Sequence, residues 1–331
     1  VVIGRGQLAD PEFCNKAREG RVDDIVKCVG CNQGCYDGFV SPDMPHITCL
    51  RNPALGKEAE YALAKADKPR KVLIAGGGVA GLEAALTLKR RGHNPILCEA
   101  SDSLGGQFRL AGMAPRKSEM KDAAIAMGEM AKRENIDIRL STPVTPELIN
   151  KIEPDEVIIA IGSEPIKPNI PGIDLPHVTN SHDILAGNSS ASGNIVVIGG
   201  GLVGLEVAEY LAEKNNSITV VEMLDEVAKD LGYLRKICVL ESMYMSGIKS
   251  ITNAKCVEIK ENTVVIEKGN ELEEIPCDSV VIAVGAKSRT SEALAAYCKE
   301  KNIPYHIIGD AVSARRALNA TAEAAQVARA I

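Results

Sequence analysis

The 331-residue sequence predicts an α/β protein with two tandem parallel-sheet units, the second inserted in the first. Three observations carry that prediction. Two stretches superimpose on each other without a gap, KVLIAGGGVAGLEAALTLKRRGHNPILCEA from Lys71 and NIVVIGGGLVGLEVAEYLAEKNNSITVVEM from Asn194. Each reads as a buried strand, a glycine turn, a helix and a second strand ending in an acid. Each is followed later by an apolar strand closing on a glycine, EVIIAIG at Gly162 and SVVIAVG at Gly285. Finally, the tail YHIIGDAVSARRALNATAEAAQVARAI holds one short strand, a Gly309-Asp310 turn and an Ala-rich helix. That is too little for a domain, so the tail is expected to return to the first unit.

In chain order, residues 1–3 read as the end of a buried strand running into Gly4-Arg5-Gly6, before a helix start at Asp10-Pro11 and a helix through Lys16 and Glu19. A strand, a Gly-Arg turn and a helix suit the last βα unit of a barrel, whose final loops hold phosphate. A whole (β/α)₈ barrel takes about 250 residues. Only about 70 residues precede the first glycine-turn strand, so the barrel is expected to lie outside this sequence.

Next comes CVGCNQGCYDGFVSPDMPHITC, in which Cys28, Cys31 and Cys35 stand close together and Cys49 follows after a Pro-containing loop. Three thiolates on one turn and a fourth from a returning loop can each meet one iron of a [4Fe–4S] cluster. Zinc is the rival reading, although its sites more often pair two separated CxxC knuckles. A disulfide framework is not expected without a sign of secretion. His46, inside this loop, reads as a surface residue, since four thiolates are already available. The other six cysteines, Cys14, Cys98, Cys238, Cys256, Cys277 and Cys298, are scattered singly and read as small core or surface residues. No close cysteine pair falls in either glycine-turn unit, which argues against a disulfide-reducing flavoprotein. The polar stretch GKEAEYALAKADKPRK, after Arg51-Asn52-Pro53, reads as a surface linker.

The glycine turns have a physical reason for each glycine. Gly76 and Gly199 allow the tight turn, Gly78 and Gly201 let backbone amides reach a pyrophosphate, and Gly81 and Gly204 let the helix pack closely on its strand. The helix N-terminus then faces the phosphates. The acids Glu99 and Glu222, each 23 positions after the first glycine, are placed to accept hydrogen bonds from ribose hydroxyls. Met223, Leu224, Asp225 and Glu226 follow Glu222 with no arginine, which favours NAD over NADP. The bland alternative is a doubly wound fold with empty crevices. Glu206, on the first turn after Gly204, reads either as a nicotinamide contact or as an acid favoured by the helix dipole.

The first unit continues with the loop SLGGQFRLAGMAP, carrying Gly105-Gly106, then a helix around Lys121 to Arg133 and a strand from Ile136 to Leu140. Lys89, Arg90 and Arg91 read as a solvated helix end, and Met120, Met127 and Met130 as helix packing. In the second unit, CVEIKENTVVIEKGNELEEIPC between Cys256 and Cys277 alternates as an antiparallel meander with turns at Glu261-Asn262 and Lys268-Gly269-Asn270.

The net charge of −6 argues against a nucleic-acid surface. Aromatic residues make up 3% with no Trp, which argues against a base-stacking platform. No run of about 18 apolar residues offers a membrane span, and the N-terminus lacks signal-peptide character, so the cytoplasm is the expected location. His93, His177, His182 and His306 stand in no catalytic pattern.

The cysteines, both fingerprints, the GGQF loop and the GD tail occur in one order, and together they resemble the C-terminal half of bacterial flavin enzymes with an old-yellow-enzyme barrel. The 2,4-dienoyl-CoA and enoate reductases are the nearest types, and trimethylamine and histamine dehydrogenases are cousins. The resemblance covers nearly the whole chain, from Gly4-Arg5 through Ala330. It implies two Rossmann-like domains of the glutathione-reductase type. Residues 1–27 would be the remnant of an FMN-binding TIM barrel and 28–69 the [4Fe–4S] segment and linker, while 70–169 with 288–331 would bind FAD and 170–287 would bind NAD.

By position, FAD falls to Gly76, Gly78, Ala80, Gly81, Glu99, Ala100, Gly106, Gln107, Ala160, Gly162, Gly309 and Asp310. NAD(H) falls to Gly199, Gly201, Leu202, Val203, Gly204, Glu222 and Gly285. The cluster falls to Cys28, Cys31, Cys35 and Cys49, and Gly4 and Arg5 to the FMN phosphate of the full-length protein. The resemblance further implies that NADH delivers a hydride to FAD and that the cluster relays single electrons to FMN in an N-terminal barrel of the same polypeptide, where an unsaturated substrate is reduced. It admits a homo-oligomer in the full-length form. A different class stays open beside it: in the amine dehydrogenase cousins the corresponding domain holds only ADP as a structural module. The small subunit of glutamate synthase also joins clusters to tandem nucleotide folds, but its family carries more cysteines upstream and Gly4-Arg5 speaks against it.

Overall fold

The computed structural model describes residues 3–42 and 46–331. In chain order its strands are β1 (Lys71–Ala75), β2 (Asn94–Cys98), β3 (Asp137–Arg139), β4 (Glu156–Ile159), β5 (Ser163–Pro165), β6 (Val178–Asn180), β7 (Asn194–Ile198), β8 (Ser217–Val221), β9 (Lys249–Ile251), β10 (Ala254–Ile259), β11 (Thr263–Lys268), β12 (Glu271–Pro276), β13 (Ser279–Ile282), β14 (Ala286–Ser288) and β15 (Tyr305–Ile307). Two compact units emerge. One takes the chain up to Gly112, Lys117–Glu164 and Lys287–Ile331, and the other takes Met113–Arg116 and Pro165–Ala286.

The first unit is built on a five-stranded sheet in the order β15-β4-β1-β2-β3, every pairing parallel. Continuous apolar runs make this arrangement possible, because a parallel sheet is covered on both faces. Val72, Leu73, Ile74 and Ala75 are fully buried, as are Val157, Ile158 and Ile159. The helix Val79–Arg90 shares its core with the C-terminal helix Ala317–Ala330. Ala320, Ala324 and Ala328 recur every fourth position on the latter and are buried together with Leu82, Ala85 and Leu88. Small side chains on one helix stripe leave room for a close neighbour. The tail therefore does return to the first unit, contributing both an edge strand and a helix.

The second unit repeats the order with its own elements, β6-β13-β7-β8-β9, again all parallel. The expected meander is the antiparallel sheet β10-β11-β12, with a bulge between Cys256 and Glu258. Ala254, Cys256, Ile259, Val264 and Ile266 turn to the core, whereas the edge strand β12 is largely exposed and carries Glu271, Glu273 and Glu274. Charge along an edge strand hinders pairing with another chain.

Two expectations change. The Gly4-Arg5-Gly6 segment, read as a turn, is part of a helix from Gly4 to Ala9; of the strand read over residues 1–3, residues 1 and 2 lie outside the described residues. Asp10 organises the chain just beyond this helix. Its buried carboxylate accepts the amides of Glu12 (3.0 Å) and Val26 (2.8 Å) and pairs with Lys16 Nζ at 2.7 Å, so the next helix begins only at Phe13. The GGQF segment, read as a loop, starts a short helix, Gly106–Ala111. Its buried Phe108 and the neighbouring helix Ser118–Arg133 share the first unit's core, and that packing overrides two glycines in a row.

Candidate functional site

Each unit has its crevice where the sheet order reverses, beyond the C-terminal end of the fingerprint strand, the usual ligand position in such folds. In the first unit the turn is forced by close approach. Gly76 has φ +111, and a Cβ there would stand 2.3 Å from the Ala160 carbonyl oxygen; a Cβ on Gly81 would stand 1.9 Å from the Gly76 oxygen. Gly199 (2.4 Å from Ala283 O) and Gly204 (1.9 Å from Gly199 O) repeat the geometry. A Cβ on Gly78 would meet nothing within 4 Å, so the backbone faces open space at the start of the helix Val79–Arg90, where no side chain caps the N-terminus.

The two acids are held alike. Glu99 Oε2 accepts the Gly77 amide at 2.6 Å, while Oε1 accepts the Ser101 amide and hydroxyl, both at 2.8 Å. Glu222 Oε2 accepts the Gly200 amide at 2.6 Å, and Oε1 the Leu224 amide at 2.8 Å. Each carboxylate thus ties the end of the second strand to the glycine turn. Glu206 is buried in the helix Leu202–Ala212 and is paired with Arg235 Nη2 at 3.3 Å.

A residue the sequence reading passed over links three that it named. Ser163 Oγ accepts from Gln107 Nε2 at 2.8 Å and donates to Asp310 Oδ2 at 3.2 Å, next to Gly162, where a Cβ would again meet open space. The Arg315 amide holds the other Asp310 oxygen at 3.1 Å. Gly309 turns close over the fingerprint helix, where a Cβ on it would stand 3.2 Å from that of Ala80. Gln107, Gly162 and Asp310, far apart in sequence, therefore gather through one hydroxyl.

Cys28, Cys31, Cys35 and Cys49 line one small, partly open pocket together with Arg5, Val29, Asn32, Gly34, Leu50 and Arg51. Burial pushes the Cys31 and Cys49 thiols up, and the neighbouring sulfurs push them further. Amide donors oppose this, Gln33 toward Cys31 and Arg51 and Asn52 toward Cys49; the Gly30 amide also donates to Cys28 Sγ at 3.4 Å. Amides aimed at three of the four sulfurs are donors that anionic thiolates accept. Among the described residues no group of three or more His, Cys, Asp or Glu stands close enough together to hold a metal ion. Arg5 Nη1 donates to Asn32 Oδ1 at 2.6 Å, and both residues line this pocket.

Burial raises the thiols of Cys98, Cys277 and Cys298, and pushes Cys256 up to about 11, so all four are neutral core groups. No helix of the described residues is long and apolar enough to cross a membrane.

Paired parallel sheets with repeated glycine turns and acids define a fold of two tandem Rossmann-like dinucleotide-binding units. Residues 70–305 match the family model for pyridine nucleotide-disulphide oxidoreductases, and the chain belongs to that family. An NADH oxidase of Thermoanaerobacter brockii is 36% identical over 334 residues, covering 99% of this chain and 51% of that protein. A bilirubin reductase of Mediterraneibacter gnavus is 36% identical over 310 residues, covering 94% and 48%. The solved structure of a 2-naphthoyl-CoA reductase with 2-naphthoyl-CoA has a TM-score of 0.92 at 33% identity, covering 99% of this chain and 50% of that one. The chain spans about half the length of these relatives and corresponds to the C-terminal part of old-yellow-enzyme-type enzymes.

Proposed function

We propose that this chain is the nicotinamide-oxidising, electron-delivering part of a longer reductase, with FAD on the first unit, NAD(H) on the second and a [4Fe–4S] cluster on the four cysteines. One observation carries the reading: an acid-braced glycine turn in each unit accompanies four thiols around one cavity. When bound, FAD and such a cluster couple two-electron hydride chemistry to single-electron transfer.

The chain's own residues bind and orient. Gly76, Gly78, Ala80 and Gly81 cradle a pyrophosphate, Glu99 beside Ala100 faces a ribose, and Gly106, Gln107, Ala160, Gly162, Gly309 and Asp310 line the path toward the flavin ring. In the second unit Gly199, Gly201, Leu202, Val203 and Gly204 form the cradle, Glu222 faces the ribose, and Gly285 lets the backbone pass close by. The Arg235 partner favours Glu206 as a held structural acid over a nicotinamide contact. Cys28, Cys31, Cys35 and Cys49 hold the cluster, and the amides around them stabilise its thiolates. Relatives twice as long support a partner domain of the same polypeptide, an FMN-binding barrel bearing Gly4 and Arg5 at its end, in which an enoate or enoyl-CoA type substrate is reduced.

The composition of anaerobically prepared chain tests the reading. Denaturation should release FAD, identified by mass, with about four iron and four sulfide per chain. ADP alone, with no sulfide, would sink it in favour of a structural module of the amine dehydrogenase type.

A further inference from the structure

The two glycine turns superimpose residue for residue, so the position eight residues after each acid can be compared: Gln107 after Glu99 and Asp230 after Glu222. In the first unit the Gln107 amide turns away to Ser163, bonding its hydroxyl at 2.8 Å and its carbonyl at 3.1 Å, and Gly78 is left facing open space. In the second unit the Asp230 carboxylate lies on the helix start. Its two oxygens accept the Leu202 amide at 3.2 and 3.1 Å, and Oδ2 would stand 3.4 Å from a Cβ on Gly201. The Leu202 N–H is the first of the helix Leu202–Ala212, one of the donors that helix-bound phosphates use.

We propose that Asp230 is an internal occupant of the pyrophosphate seat in the second unit, and that it must withdraw before a nucleotide can settle there. The inference rests on the nicotinamide-nucleotide reading of that unit. A carboxylate and a pyrophosphate seek the same N–H and repel each other, so every dinucleotide bound gives up the Asp230 contact as part of its binding. Residues 223–232 form neither helix nor strand, so the side chain can leave without breaking a ladder. Asp230 thereby sets nucleotide affinity and acts only on ligands that carry the pyrophosphate. Gln107, neutral and turned to Ser163, places no charge at the first unit's seat, which suits a cofactor that stays bound, whereas a self-occupied seat suits a nucleotide that comes and goes.

The test uses the full chain loaded with FAD, so that the first crevice is filled, and titrates ADP-ribose and adenosine calorimetrically into wild type, Asp230→Asn and Asp230→Ala. Loss of the competing charge should tighten ADP-ribose binding roughly five- to tenfold in both variants, with adenosine affinity unchanged. Asp230→Asn keeps the side-chain volume and a neutral acceptor, so unaltered thermal unfolding in that variant separates competition from a fold defect. Equal or weaker ADP-ribose binding in Asp230→Asn overturns the proposal. Absence of ADP-ribose binding in all three proteins overturns the nucleotide reading itself, and Asp230's role with it.

Discussion

Gly81 and Gly78 sit three residues apart and should fail in different ways when substituted. A Cβ on Gly81 would stand 1.9 Å from the Gly76 oxygen, a backbone atom with nowhere to go, whereas one on Gly78 would meet nothing. Gly81→Ala should therefore lower stability by about 1–3 kcal/mol or more, read as an earlier denaturant midpoint. Gly78→Ala should unfold like wild type but lose flavin on gel filtration, because its methyl takes space meant for a pyrophosphate. Both roles were legible in the sequence, since each glycine answers a steric demand within its own turn. His93 was not. Its Nδ1 accepts the Arg70 amide at 3.2 Å, and burial, aided by Arg91 and Arg70, pushes its imidazole below the ordinary value. The unfolded chain, with His near 6.5, then takes up a proton before the folded one does, so this contribution to stability is complete above that pH and is lost as pH falls through it. The stability difference between wild type and His93→Gln should shrink from pH 7.5 to pH 5.5 in urea titrations; a difference independent of pH would contradict this account of His93.

At the scale of elements, most strands were readable because parallel sheets bury both faces and so write unbroken apolar runs, as in β1, β4, β7 and β13. The elements misread were those governed from outside themselves. The Gly4–Ala9 helix and the Gly106–Ala111 helix both begin at glycine, the residue that argues for a turn when read locally. Ser163 was invisible for a related reason: its importance comes from Gln107 and Asp310, which lie 56 and 147 positions away. Removing that hydroxyl should loosen the junction without unfolding the sheet. Ser163→Ala is expected to release flavin about tenfold faster, in line with roughly 1–2 kcal/mol for lost hydrogen bonds, followed as growth of free-flavin fluorescence after dilution; an unchanged rate would remove Ser163 from the site. The cysteine segment is an element without regular structure around its first two thiols, yet its spacing alone announced a common cavity. Cys31→Ser should yield chain that keeps its flavin but has lost most of its iron and sulfide, since one ligand of four is gone.

For the whole molecule, the duplicated strand-turn-helix pattern made the two units legible, and the return of the tail followed from its being too short to fold alone. What the sequence could not convey is how the second unit's seat differs from the first, because Asp230 and Gln107 look like ordinary loop residues until their partners are known. The central claim is that reducing power enters at the second unit and leaves through the first. Anaerobic titration of the FAD- and cluster-loaded chain with NADH tests it most directly, read as absorbance near 450 nm, roughly where oxidised flavins absorb. The account predicts bleaching with about one NADH per flavin, and a much weaker response to NADPH, whose 2′-phosphate would meet the Glu222 carboxylate that the proposal puts at the ribose. A flavin band that stays unbleached under excess NADH would contradict it.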